Sequence, residues 1–283
     1  MRIGLFGNKF TTVELLAHLV GKGVPIASII TLDSKSKRDI DIAGESHDIG
    51  EVARDNGVEV IYVTSYTLSD SSDRERIRKA NLNIGLVTGW QRIIPPEVLS
   101  FFSLGVFGWH GSFLNFPNGR GRSPLNWSIR LGADRIYHNF FQYDAGVDTG
   151  PIFDTRMFFI EPSDYISDLQ KKALEHIKES SYRLIQSCGA GHEITSMLRP
   201  QTGEVSVSFP KITPADSELF PMIHSADHAL NIIRSASRPF SGAFINENGH
   251  KLVIWRAGKG SKPGYPGRTF IDGALFFEEW EIK

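Results

Sequence analysis

A histidine and an aspartate offer the clearest potential for chemistry in this sequence. His110 follows an apolar run at residues 105–109, and Asp148 lies in a loop of small and turn-forming residues at 144–150. An imidazole and a carboxylate on facing loops can orient each other and move a proton during a reaction. The sequence therefore predicts that the fold brings His110 and Asp148 together as a proton-handling pair.

Apolar runs that alternate with amphipathic segments indicate the scaffold that would position this pair. Strand-like runs occupy residues 2–6, 26–32, 59–63, 83–88 and 105–109, and two further runs at 135–143 and 152–160 flank the Asp148 loop. Because helical patterns separate several of these strands, we expect an α/β fold with a Rossmann-like, mostly parallel sheet and helices on both faces. Such sheets bind ligands beyond the carboxyl ends of their strands, which is where His110 would lie.

The chain divides into a large and a small predicted domain. A long amphipathic helix at 164–187 closes a domain predicted to span residues 1–190, and the glycine-rich residues 191–208 are predicted to be a linker. One helix at 226–235 and four strands at 242–245, 251–257, 268–271 and 274–280 predict a small C-terminal helix-and-barrel domain over 209–283. The charged, turn-rich residues 33–50 are predicted to form a surface excursion.

Composition limits the partners and the environment of the protein. A formal net charge of -1 provides no overall positive field for a polyanion. The only cysteine, Cys188, cannot form an intrachain disulfide, and no apolar run reaches the roughly 20 residues of a membrane span. His224 and His228 have helical spacing but no nearby third ligand, so we predict no metal. The expected location is the cytoplasm, with no membrane partner.

Three spaced motifs carry a family resemblance. They read H-x-S, then P-x-x-R-G-x-x-P-x-x-W, then D-x-G-x-D-T-G-x-I, and they resemble the motifs of the folate-dependent formyltransferases. The resemblance implies a formyl transfer from 10-formyltetrahydrofolate to an amine, with no metal. The matching residues are His110, Ser112, Pro117, Arg120, Gly121, Pro124, Trp127, Asp144, Gly146, Asp148, Thr149, Gly150 and Ile152.

The resemblance also assigns catalytic positions, and one of them departs from the family. His110 would donate to the developing oxyanion or move the amine proton, and Asp148 would orient His110 and hold the amine or a water. The family has an asparagine as oxyanion donor where this chain has Gly108. Three accounts stay open: another donor or water replaces it, the glycine was introduced into this chain, or the activity is weakened.

Folate and substrate positions follow from the same resemblance. Main-chain groups of two loops would hold the pterin. The alternative for Gly89 and Gly146 in these loops is that they are simple turn residues. The predicted folate positions are Thr88, Gly89, Trp90, Ile93, Tyr143, Asp144, Ala145, Gly146 and Val147. Asn8 and Lys9, at the first strand end, either contact the substrate or cap the next helix. Ser112 and Asn115 complete the predicted substrate positions, Asn115 in a loop two residues longer than the family's.

The resemblance leaves three candidates for the function. The segment around Trp127 and the near-neutral charge favour the amine of a nucleotide-linked amino sugar, as in the amino-sugar N-formyltransferases. Initiator methionyl-tRNA is the second candidate. The third is a catalytically weakened homologue that binds folate or a nucleotide, since the asparagine is missing at Gly108. Relatives acting on nucleotide sugars suggest a homodimer.

Overall fold

A computed structural model describes residues 1–32, 49–204 and 207–283. The predicted excursion at 33–50 falls almost entirely outside these residues. The helices are α1 (Phe10–Gly21), α2 (Ile49–Asp55), α3 (Ser71–Lys79), α4 (Pro96–Leu99), α5 (Pro124–Arg130), α6 (Ile166–Gly189), α7 (Ile194–Met197) and α8 (Ala226–Ala236). The strands are β1 (Ile3–Phe6), β2 (Ser28–Leu32), β3 (Glu59–Val63), β4 (Ile84–Val87), β5 (Gly105–Ser112), β6 (Arg120–Gly121), β7 (Arg135–Gln142), β8 (Ile152–Phe159), β9 (Ser208–Phe209), β10 (Ala243–Glu247), β11 (His250–Lys259), β12 (Gly267–Phe270) and β13 (Gly273–Ile282).

Seven strands form the central sheet in the order β3-β2-β1-β4-β5-β7-β8. The pairs β1 with β2, β1 with β4, β2 with β3 and β4 with β5 are parallel. The strand order reverses between β1 and β4, and this kind of switch point opens a crevice at the carboxyl ends of the strands. The predicted mostly parallel α/β fold is confirmed.

Helices pack on both faces of this sheet because β1 is apolar on both sides. Leu5 belongs to a core that includes Leu16 of α1, whereas the adjacent Phe6 belongs to a second core that includes Ile77 of α3. Successive strand residues point to opposite faces, so the alternation places α1 and α3 on opposite sides of the sheet. Each of these side chains is almost completely buried.

The last four strands form a separate antiparallel sheet in the order β10-β11-β13-β12. Its core contains Ile232 and Ile233 of α8 together with Ile254 and Phe277 of the strands. The hairpin between β10 and β11 turns at Asn248 and Gly249, whose φ angles of 51° and 81° are typical of a type I′ turn. The helix-and-barrel fold predicted for the C-terminal residues is confirmed as a helix packed on an antiparallel half-barrel.

Packing groups the chain into two compact units whose segments alternate along the sequence. The first contains Met1–His110, His138–Arg156 and Leu174–Gly203, and the second contains Gly111–Tyr137, Met157–Ala173 and Glu204–Lys283. The predicted boundaries at residues 190 and 209 stay a prediction. Among the described helices, none combines the length and the apolar character needed to cross a membrane.

Candidate active site

His110 and Asp148 lie together in the first unit. Nδ1 of His110 is 3.4 Å from Oδ2 of Asp148, and the two side chains are 7% and 21% exposed. Strand β5 continues through His110 to Ser112, so the predicted end of this strand at residue 109 was too early. The pairing of β5 with β4 nevertheless ends at Gly108, so His110 lies beyond the carboxyl end of β4.

The backbone around Asp148 is held by two polar side chains. Asp148 has a left-handed φ of 54°, and Nε2 of Gln201 donates to the carbonyl oxygens of Asp148 at 2.9 Å and Gly150 at 2.8 Å. Oδ1 of Asp144 accepts hydrogen bonds from the Gly146 N–H at 3.0 Å and from the Thr149 hydroxyl at 2.5 Å. Sequence reasoning missed Gln201, because it lies in the predicted linker and its role depends on a long-range contact.

Gly108 packs against an aromatic side chain at the site. A Cβ added to Gly108 would lie 2.3 Å from the Tyr143 hydroxyl oxygen and 2.5 Å from two carbons of its ring. Burial raises the pKa of the Tyr143 hydroxyl, and the Asp148 carboxylate raises it further. Phe141 contributes a tilted ring contact at 5.2 Å between centroids. Because the phenol occupies this space, no larger residue fits at position 108 without displacing it.

The predicted substrate residues at the end of β1 lie beside the end of β4. The Thr12 hydroxyl donates to the Thr88 carbonyl at 2.7 Å, and a Cβ on Gly89 would come within 2.6 Å of the Lys9 side chain. Asn8 is fully buried, and neither its amide nitrogen nor its amide oxygen has a hydrogen-bond partner among the described residues. A buried amide without partners is costly, which marks Asn8 as a group that a ligand can satisfy.

The other predicted folate positions differ in their surroundings. Trp90 is buried and packs edge-on against Tyr66, with ring centroids 4.7 Å apart, so its side chain belongs to the core. Ile93 and Val147 are more than half exposed. A cavity of about 560 Å³ involves one of the two predicted loops, and its lining includes Phe102, Val106, Gln142, Tyr143, Asp144 and Ala145. Thr88, Gly89, Trp90 and Ile93 do not line it.

Ser112 and Asn115 belong to the second unit. The buried Ser112 hydroxyl accepts from the Leu114 N–H at 3.3 Å, and the exposed Asn115 side chain accepts from the Phe116 N–H at 2.9 Å. Asn115 also lines a cavity of about 540 Å³ with Phe113, Arg135 and Tyr137. The hydrogen bonds of Ser112 and Asn115 thus organise the local loop, and a cavity is available beside Asn115.

A buried polar cluster behind β7 was missed by sequence reasoning. The Nδ1 atoms of His138 and His176 are 2.7 Å apart, so one nitrogen donates and the other accepts. Nε2 of His176 lies 3.0 Å from Oδ2 of Asp154, which also pairs with Arg183 at 2.6 Å. Burial lowers the pKa of His138 well below its usual value, and the nearby His176 and His110 lower it further. The sequence contains no local signal for this cluster, because its members come from three elements.

No group of three or more histidine, cysteine, aspartate or glutamate side chains suited to a metal occurs among the described residues. His224 lies two residues before α8 begins and His228 lies in the first turn of α8, and their ring centroids are 5.0 Å apart. Phe220 contacts the His224 ring as well.

Comparisons with known proteins identify the family of the chain. The sequence profile described as formyl transferase matches residues 3–184, more than half of the chain. The methionyl-tRNA formyltransferase of Thermotoga sp. (strain RQ2) is 25% identical over 275 residues, covering 93% of this chain and 82% of that protein.

Solved structures share the fold. The N-formyltransferase from Helicobacter canadensis, in complex with folinic acid and dTDP-3-aminofucose, has a TM-score of 0.67 and 16% identity over 99% of each chain. HypX from Aquifex aeolicus, in complex with tetrahydrofolic acid, has a TM-score of 0.67 and 15% identity; this chain spans 44% of its length. The family model and the fold define a group-transfer enzyme built on an α/β sheet. The chain belongs to the formyl transferase family.

Proposed function

We propose that the protein transfers the formyl group of 10-formyltetrahydrofolate to the amine of a nucleotide-linked amino sugar. The observation that carries this proposal is the His110–Asp148 contact of 3.4 Å at the carboxyl edge of the parallel strands. Formyl transfer to an amine requires removal of a proton from the attacking nitrogen, and an imidazole oriented by a carboxylate performs that task in other enzymes.

The roles of the two side chains follow from their positions. With Asp148 next to Nδ1, a proton on Nδ1 satisfies the carboxylate and leaves the lone pair on Nε2 of His110 to accept the amine proton. The 3.4 Å separation is longer than an ordinary hydrogen bond, and such contacts commonly shorten when substrate binds. Asp148 also stabilises the imidazolium that forms after proton transfer.

The cavity beside Tyr143 supports folate as the formyl donor. Its volume of about 560 Å³ lies in the range of small-molecule pockets, and Phe102 and Val106 provide apolar walls. When bound there, 10-formyltetrahydrofolate supplies the activated formyl group. Asp144 and Ala145 line the cavity from the loop that carries Asp148, so the pteridine and the proton-handling pair would share one loop.

The buried Asn8 amide supports binding of a polar substrate group at the end of β1. Both of its polar atoms lack partners among the described residues, and a donor and an acceptor on the substrate would satisfy them. Lys9, which is also buried, contributes a cation next to it. We therefore assign the amine substrate, rather than the pteridine, to this end of the sheet.

Two observations favour an amino sugar over tRNA. The formal net charge of -1 leaves no overall attraction for a polyanion, which tRNA-binding proteins normally use. The Helicobacter canadensis N-formyltransferase was solved in complex with dTDP-3-aminofucose, and its structural alignment with this protein covers 99% of both chains. Methionyl-tRNA is the second candidate, because the sequence relatives at 25 to 26% identity carry that name.

The test is a direct assay of purified protein with 10-formyltetrahydrofolate. Nucleotide-linked amino sugars with a 3-amino or 4-amino group and methionyl-tRNA are offered separately, and the product is detected by mass as one added CO unit. We expect turnover with an amino sugar and a loss of roughly 100-fold or more in kcat for His110→Ala and Asp148→Asn. Turnover of methionyl-tRNA alone would select the second candidate, and tetrahydrofolate binding without any turnover would indicate a weakened homologue.

A further inference from the structure

Position 108 and position 143 form a complementary pair. The Tyr143 hydroxyl oxygen lies 2.3 Å from the point where a Cβ of residue 108 would stand. Gly108 and His110 are two residues apart on β5, so they face the same side of the sheet. The phenol of Tyr143 is therefore held over the same face of β5 that carries the imidazole.

The backbone keeps Tyr143 in this place. Its N–H donates to the Val106 carbonyl at 2.7 Å, just after the end of β7. The ring also belongs to the surroundings of the core that contains Val106 and Phe102. Because both the backbone and the ring are fixed, the hydroxyl is preorganised rather than free to rotate away from Gly108.

The hydroxyl is suited to donate a hydrogen bond. Burial and the Asp148 carboxylate both raise the pKa of Tyr143, so the phenol keeps its proton at neutral pH. Among the described residues, no hydrogen bond involves this hydroxyl group. A protonated, preorganised donor in a partly enclosed site is the kind of group that stabilises developing negative charge.

We propose that the Tyr143 hydroxyl donates to the formyl oxygen during transfer, in place of the asparagine that the formyltransferase motif has at position 108. The inference rests on the proposed function. The new C–N bond forms between the amine and the formyl carbon, the C–N bond to the folate breaks, and one amine proton moves to the leaving nitrogen through His110. The phenol keeps its own proton throughout, so Tyr143 contributes a hydrogen bond only.

The alternative is that Tyr143 only fills the space left by the glycine. Tyr143→Phe separates the two roles, because it keeps the ring and removes the hydroxyl oxygen. Tyr62→Phe on β3, whose hydroxyl lies 3.3 Å from Arg54, is the matched control. We expect a fall in kcat of roughly 100- to 1000-fold for Tyr143→Phe, as for removal of other oxyanion donors. The melting temperature should stay close to that of the wild type, and the dissociation constant for tetrahydrofolate should change by no more than a few-fold. An unchanged kcat would overturn the inference.

An exchange of the two residues gives a second test. Gly108→Asn alone should lower both the melting temperature and kcat, since the new side chain collides with the phenol. Tyr143→Ala removes the phenol, and Gly108→Asn added to it should restore melting temperature and raise kcat above that of Tyr143→Ala. This non-additive pattern is expected of two groups that occupy the same space. A restored melting temperature without any gain in kcat would count against an exchange of donors.

The outcomes distinguish this inference from the proposed function. If the wild-type protein formylates none of the amines, the proposed function is wrong. If the wild type is active and Tyr143→Phe is equally active, the proposed function stands and only the role of Tyr143 is wrong. The melting temperatures need no amine. If Gly108→Ala melts at the wild-type temperature, the phenol does not occupy the position required, and the inference fails for any substrate.

Discussion

Gln201, which is distant in sequence from Asp148, is expected to hold the backbone of the Asp148 loop (residues 144–150) in place. Its side-chain amide donates to the carbonyl oxygens of Asp148 and Gly150, at 2.9 Å and 2.8 Å. Asp148 has a left-handed backbone, which is unfavourable for a residue with a Cβ and therefore needs support from its surroundings. Gln201→Ala removes this support and leaves the Asp148 carboxyl itself unchanged.

The magnitude follows from the two hydrogen bonds. Each is worth about 0.5 to 1.5 kcal/mol, so Gln201→Ala should lower the free energy of unfolding by about 1 to 3 kcal/mol. If the same energy is needed to hold Asp148 against His110 in the transition state, kcat falls by roughly 5- to 150-fold. The KM for the folate should change less, because the pteridine cavity keeps its walls.

Urea unfolding and steady-state formyl transfer measure the two effects. Gln186→Ala, on the exposed face of α6, is the control for loss of a glutamine side chain. Gln201→Glu keeps the length of the side chain but loses the donor, so it should behave like Gln201→Ala. If Gln201→Ala matches Gln186→Ala in both assays, the loop does not depend on these hydrogen bonds and the reasoning is wrong.

Three further predictions concern stability. Gly7→Ala puts a Cβ 2.0 Å from a backbone carbonyl oxygen and should lower the free energy of unfolding in urea by about 1 to 3 kcal/mol. Gly21→Ala is the control, because a Cβ at Gly21 has no neighbour within 4 Å and should stabilise the protein. Equal changes in the free energy of unfolding for the two variants would contradict the packing around Gly7. Burial would raise the pKa of Asp154, but hydrogen bonds from His176 and a neighbouring guanidinium hold it well below its usual range. That stabilisation is complete above the unfolded pKa of about 3.9 and lost as pH falls below it, so the difference in melting temperature between wild type and Asp154→Asn should narrow below about pH 4. Arg130→Ala should lower the free energy of unfolding by about 3 kcal/mol, because the buried guanidinium donates to a carbonyl and to hydroxyl groups of its own unit; a loss below about 1 kcal/mol would refute this.

Much of the fold was predictable because it depends on local patterns. Strand β3 was predicted at its observed bounds, and the helix predicted at 226–235 was only one residue shorter than α8. Apolar residues recur every second position in a half-buried strand and every three to four positions in an amphipathic helix, so the pattern indicates which face is buried. A few neighbouring residues are enough to show it. The error at β5, which continues past His110, arose because two glycines and a tryptophan around the histidine gave no clear strand pattern.

The candidate site was predictable in part. The pairing of His110 with Asp148 followed from motif order, and the two side chains are in contact. Tyr143 was predicted only as part of a folate loop, and its position over Gly108 had no sequence signal. From the sequence, the absence of the asparagine at Gly108 indicated the loss of a hydrogen-bond donor. In the folded protein, the Tyr143 hydroxyl, which can donate a hydrogen bond, occupies the space where a side chain of residue 108 would begin.

The sequence alone determined the order of the seven strands of the central sheet, the near-neutral charge and the family motifs that contain His110 and Asp148. Only the tertiary structure decided that Gln201 anchors the Asp148 loop, that His138 pairs with His176, and that a phenol lies over Gly108. The physical reason is that periodicity and turn propensity act between neighbouring residues. The partner of a side chain depends instead on which distant segments fill the same volume, and this is settled only when the sheet and its helices pack together.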